Sequence, residues 1–181
     1  AKFFKDQGKT DISYLMLNGI LGQTSTTNRT ASVLKALEDN GIKATAAAAP
    51  LAADYDRATA MDMISPLLKT TKYDCIISNN DAMALGAVEA MQQQGLDPKS
   101  VPIVGIDATA DGRQAIKDGT LAMTVFQNAE GQGRASLQAA ANLIDGKPIA
   151  EGTGYEVDDE NEFIIWVPFE PVTIDNVADY D

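Results

Sequence analysis

Short apolar runs in this sequence end, one after another, in polar side chains. Residues 73–78 lead into Asn79, Asn80 and Asp81, residues 102–106 into Asp107, and residues 121–126 into Gln127 and Asn128. The run 12–17 leads into Asn18, Gln23, Ser25 and, where the next helix opens, Arg29; a weaker run at 42–49 is followed by Asp54 and Tyr55. Amides that both donate and accept, a carboxylate acceptor and an arginine fork together suit a ligand covered in hydroxyl groups. An aromatic ring such as Tyr55 adds a platform for the apolar C–H face of a sugar ring. The plainer reading of Asn80, Asp81 and Asp107 is that each caps the helix that follows it.

Those runs must sit in an ordered frame. Between them the spacing predicts helices: one opening at Thr26 or Thr27 with Val33, Leu34 and Leu37 on one side and Asn40-Gly41 at its end, then helices at 56–69, 82–94, 110–117 and 131–144. A last strand-like run is expected at 162–169. Continuous apolar strands alternating with helices predict an α/β fold, a doubly wound parallel sheet with helices on both faces. In open sheets of this kind ligands bind beyond the carboxyl ends of the strands, which is where the polar residues above fall.

Composition narrows the function classes. The chain has 181 residues, 45% hydrophobic and 22% charged, enough for a globular domain that buries roughly 70% of its unfolded surface. The net charge of −12 and the lack of a basic cluster argue against nucleic acid as a partner. No histidine is present, which removes the commonest general base and His-ligated metals. The single cysteine, Cys75, lies in an apolar run and reads as a small core residue. Gly131-Gln132-Gly133 has Ser136 where a dinucleotide fingerprint needs its third glycine, and the acidic run 156–160 lacks the alternation of a calcium loop, so neither cofactor nor metal is expected.

Three motifs carry a resemblance to a known family. The segment from Ser78-Asn79-Asn80-Asp81 through Ala90, the segment Val101-Pro102-Ile103-Val104-Gly105-Ile106-Asp107-Ala108, and Gly119-Thr120-Leu121 followed by Thr124-Val125-Phe126-Gln127 resemble the galactose/glucose- and ribose-binding solute-binding proteins of bacterial ABC importers. The resemblance implies one lobe of a type I periplasmic-binding-protein fold with a C-terminal helix and hinge strand. It implies a sugar-binding lobe over residues 1–128, a helix and loop over 129–161 that pack on an N-terminal lobe missing here, and a final hinge strand and tail over 162–181.

By the same resemblance, Asn80 and Asp107 hydrogen-bond ring hydroxyls, Arg29 forks onto the sugar and Tyr55 stacks on it. Tyr55 stands where the glucose/galactose branch usually carries Trp. Gln127 stands where that branch has Asn and the ribose branch has Gln, and Gln23 and Ser25 replace a His and an Asp. The implied protein is non-catalytic and extracytoplasmic, periplasmic or lipid-anchored at the cell surface. It delivers a monosaccharide, a galactose/glucose-like hexose by preference, to ABC permease membrane subunits. Without the partner lobe, the helix at 131–144 would expose an apolar face that invites dimerisation. The effector-binding core of a LacI-type repressor has the same fold and a similar rim, and is the alternative.

Overall fold

The computed structural model describes residues 1–180; Asp181, the last residue of the expected tail, lies outside them. The chain divides into two compact units, one of residues 1–125 and 171 onward, the other of residues 126–170.

The first unit is built on a parallel sheet. Its elements are α1 (Lys2–Asp6), β1 (Asp11–Asn18), α2 (Thr24–Asp39), β2 (Lys43–Ala46), β3 (Leu51–Ala52), α3 (Arg57–Ile64), β4 (Cys75–Ser78), α4 (Asp81–Gln93), β5 (Ile103–Val104) and α5 (Ala110–Lys117). Strand order is β2-β1-β4-β5, with β3 also pairing with the end of β1. Tyr14, Leu15, Met16 and Leu17 sit opposite Cys75, Ile76, Ile77 and Ser78, and Ile76 opposite Ile103. A further parallel bridge joins Val104 to Met123, so the sheet's direction continues toward β6 (Thr124–Gln127).

Alternation along the strands splits the core into two layers. Ile12, Tyr14, Met16, Cys75 and Ile77 pack with Phe4, Leu37 and Ile42, against Val33 and Leu34 of α2. The intervening residues Leu15, Leu17 and Ile76 are almost wholly buried on the opposite face. There α3 and α4 pack closely because Gly86 leaves no side chain between them: a Cβ at that position would meet the carbonyl of Arg57 and, at 3.2 Å, the Cβ of Ala60. The Cys75 thiol is 4% exposed, and burial pushes its pKa up to about 12.

Three expectations change. The α2 helix starts a turn before Thr26 and Thr27, because the Gln23 carbonyl already accepts from the Thr27 amide. Helix α3 stops at Ile64, after which Pro66 has no N–H to extend the ladder and the chain proceeds through turns such as Leu67 N–H to Ile64 C=O. The expected run at 162–169 is not one strand: it holds β8 (Ile165–Trp166), paired antiparallel with the preceding β7 (Glu156–Val157), and the start of β9 (Phe169–Val172).

The second unit contains α6 (Ala129–Ile144) and the β7–β8 hairpin. Asn142, 2% exposed, donates from its amide to the carbonyls of Pro148, Ile149 and Glu151 and so folds the chain back onto α6. Leu137, Leu143 and Ile144 of α6 are exposed. In the acidic loop, the Asp158 carboxylate accepts from the Trp166 indole and from the backbone N–H groups of Glu160 and Asn161. Among the described residues no cluster of three ligating side chains could hold a metal ion, and no helix is long and apolar enough to cross a membrane.

Candidate functional site

Backbone geometry picks out the rim of the first unit. Among the described residues, four other than glycine have positive φ: Asp54 (54°), Tyr55 (64°), Asp107 (121°) and Ala108 (51°). Such conformations cost on the order of 1–3 kcal/mol each and persist only where surrounding contacts over-determine them. They fall in two loops, the one after β3 and the one after β5, at the carboxyl end of the sheet.

The loop after β5 is pinned at successive groups. The Asp107 N–H donates to the Val125 carbonyl (2.8 Å). The Ala108 N–H donates to the Thr124 hydroxyl (3.2 Å), and the Thr109 N–H to the Asp81 carboxylate (2.9 Å). The Ala108 carbonyl accepts from the Arg113 guanidinium (2.6 Å). Asp107 therefore does not cap α5; Thr109 does, accepting from the Gly112 amide. The Asp107 side chain is left to face Arg29, with Nη2 to Oδ1 at 3.6 Å. Burial raises the Asp107 pKa to about 6; Arg29 opposes that rise and the Asp81 charge adds to it.

Arg29 reaches across the rim from α2. Its Nη1 donates to the Asn79 carbonyl (2.8 Å), and its guanidinium carbon lies 5.9 Å from the Tyr55 ring centroid. Asn79 and Thr30 tie the ends of β1 and β4 beneath it: the Asn79 Oδ1 accepts from the Gly19 N–H (3.1 Å), and the Thr30 hydroxyl donates to the Asn18 Oδ1 (3.2 Å). Asn80 is the N-cap of α4, its Oδ1 accepting from Met83 N–H (3.0 Å), while its Nδ2 points to the Tyr55 carbonyl at 3.4 Å. The cap uses only the oxygen of the Asn80 amide.

Tyr55 is half-buried and doubly anchored. Its hydroxyl lies 2.8 Å from both Ser25 Oγ and Thr26 Oγ1, at the start of α2. Its ring rests on Gly19, where a Cβ would meet Cζ, Cε1 and Cε2 of the ring. Gly19→Ala should therefore push the ring out of place. The expected cost is about 1–3 kcal/mol of stability, read by urea denaturation, with altered near-ultraviolet tyrosine circular dichroism; an unchanged spectrum and midpoint would contradict this packing.

The structure thus brings Arg29, Tyr55, Asn80 and Asp107 to one rim, with Ser25 joined to the Tyr55 hydroxyl. Gln23 is exposed and makes no side-chain cap bond to α2. Gln127 belongs to the second unit. Asp81 was expected to share the capping role of Asn80; its carboxylate instead turns inward, fully buried, and accepts from Thr124 Oγ1 (2.6 Å) and Thr109. Thr109 and Arg113, which help hold the Asp107 loop, carry no signal in the sequence, because nothing in their local spacing distinguishes them from surface polar residues; Thr124 stands in one of the three motifs, but nothing there announces its bond to Asp81.

Residues 1–148 match the family model of the periplasmic binding protein domain. The chain belongs to the periplasmic binding protein family. Within that family it is 36% identical over 175 residues, 93% of its length, to the D-galactose/methyl-galactoside binding periplasmic protein MglB of Haemophilus influenzae, and spans 50% of that protein. It is 35% identical over 98 residues to the ribose import binding protein RbsB of Salmonella typhimurium, covering 54% of this chain and 32% of that one. A solved ABC transporter solute-binding protein from Bacillus halodurans with bound myo-inositol superimposes with a TM-score of 0.74 at 30% identity, over 99% of this chain and 57% of that one. The chain thus spans about half the length of the Haemophilus influenzae and Bacillus halodurans proteins, and its fold is that of the family: an α/β lobe on a parallel sheet.

Proposed function

We propose that this chain is the sugar-gripping part of a two-lobed, non-catalytic capture protein that works outside the cytoplasm and hands a monosaccharide to the membrane subunits of an ABC importer. In this reading, residues 1–128 form the sugar-binding lobe, 129–161 pack on an N-terminal lobe, and 162–180 carry the final hinge crossing and tail. The observation that carries it is Asp107 beside Arg29, on a strained and fully pinned loop, at the rim shared with Asn80 and Tyr55. Asp107 accepts from ring hydroxyls, Arg29 and the Asn80 amide donate to them, and Tyr55 covers a ring face. Ser25 acts through the Tyr55 hydroxyl. A galactose- or glucose-like hexose is favoured, in keeping with the name of the 36% identical relative. The ring polyol bound by the Bacillus halodurans protein is similar in size and hydroxyl content.

Calorimetry on the full-length protein with D-galactose, D-glucose, D-ribose and myo-inositol tests the reading. Heat is expected with at least one of them, and silence with all would sink it. The pH dependence adds a second check. Ionised Asp107 is the acceptor, so affinity should be level above pH 7 and decline as pH falls through about 6, where the carboxyl protonates. The unliganded fold should respond in the opposite sense. Its Asp107 holds a proton more tightly than the unfolded chain does, so this group adds stability as pH drops from about 6 toward the ordinary value of 3.8.

A further inference from the structure

Asp81 touches none of the rim side chains directly, yet it controls the loop that carries one of them. Its carboxylate is wholly buried in a space that exists because two residues lack side chains: a Cβ on Gly105 would meet Oδ1, and a Cβ on Gly112 would meet Oδ2. Oδ2 accepts from the Thr109 N–H (2.9 Å) and hydroxyl (3.3 Å). Oδ1 accepts from the Thr124 hydroxyl (2.6 Å), whose oxygen in turn accepts from the Ala108 N–H (3.2 Å). One carboxylate therefore fixes, directly or through one hydroxyl, the two amides that follow Asp107, where φ is 121° and then 51°. Only an acceptor on both oxygens satisfies this pattern. An asparagine would point an N–H₂ at a donor on one side.

We propose that Asp81 is a positioning residue for sugar binding, holding the strained 107–108 backbone so that the Asp107 carboxylate is presented to the ligand in a fixed place. The proposal rests on the reading of Asp107 as a sugar acceptor. An acceptor that wanders from its place forfeits much of the roughly tenfold or more in affinity that a charge-assisted hydrogen bond contributes.

The test is a double-mutant cycle in the full-length protein, using whichever of D-galactose, D-glucose, D-ribose and myo-inositol the wild type binds, together with amide hydrogen exchange. Asp81→Asn should weaken binding about tenfold or more, and speed exchange at Ala108 and Thr109. In an Asp107→Asn background it should weaken binding little further, because the group it positions is already altered. Equal losses in both backgrounds, or unchanged affinity with Asp107 intact, would overturn the positioning role while leaving Asp107 a ligand. Unchanged affinity in Asp107→Asn alone would instead refute the reading of Asp107, and binding of none of the sugars would overturn both. If Asp81→Asn fails to fold, Thr124→Val, which deletes only the relaying hydroxyl, carries the same cycle with the same outcomes.

Discussion

Asp107→Ala in the full-length protein should weaken monosaccharide binding about 10- to 100-fold at pH 7.5. A charge-assisted hydrogen bond contributes about 1.5–3 kcal/mol net, and each 1.4 kcal/mol is tenfold in affinity. The effect should fall on binding more than on folding. The loop is held by its own N–H and by Asp81, Thr124 and Arg113, none of which depends on the Asp107 side chain. Arg29 keeps the Asn79 carbonyl when Asp107 is gone. Calorimetric titration beside urea denaturation separates the two quantities. An affinity within twofold of wild type would show that the carboxylate faces no ligand.

Arg29→Met should do more damage, and of a different kind. Methionine keeps much of the apolar stem but removes the charge opposite Asp107, the donor to Asn79 and the cation over Tyr55. Stranding one member of a fully buried pair costs about 3–5 kcal/mol. Here the side chains are 18% and 29% exposed and the pair sits at 3.6 Å, so about 1–3 kcal/mol is the expected loss of stability. Arg29 also holds the Asp107 pKa down from where burial alone would put it. Its removal should therefore move the acid limb of the binding profile to higher pH, on top of a general loss of affinity. A profile that keeps its midpoint would mean that the two groups are not coupled.

The strand ends were legible in the sequence because a buried parallel strand is a short apolar run and its exit must be polar. Residues 73–78 and 12–17 announced both the sheet and the positions of Asn80 and Arg29 by that logic alone. Asp107 was visible for the same reason. What the sequence hid lies where one residue step changes a role. Asn80 and Asp81 are neighbours of similar chemistry, yet the first caps α4 and the second turns into the core. The difference comes from Gly105, Gly112, Thr109 and Thr124, at least 24 positions away in the chain. The tail was misread because residues 156–172 lack a clean period: Trp166 is tied back to Asp158 across a hairpin that alternation does not reveal. The link between Ser25 and the Tyr55 hydroxyl is visible only in the fold.

The burial of Cys75 has a practical consequence. A thiol with a pKa of about 12 and 4% exposure offers almost no thiolate to an alkylating reagent at neutral pH. In this chain a cysteine introduced at an exposed position of the first unit, Lys35 for example, would be the one that maleimide dyes find. A fluorophore could thus be attached at a chosen spot without first removing the native sulfur, and sugar-driven movement could be followed by optical readout in an otherwise unaltered core.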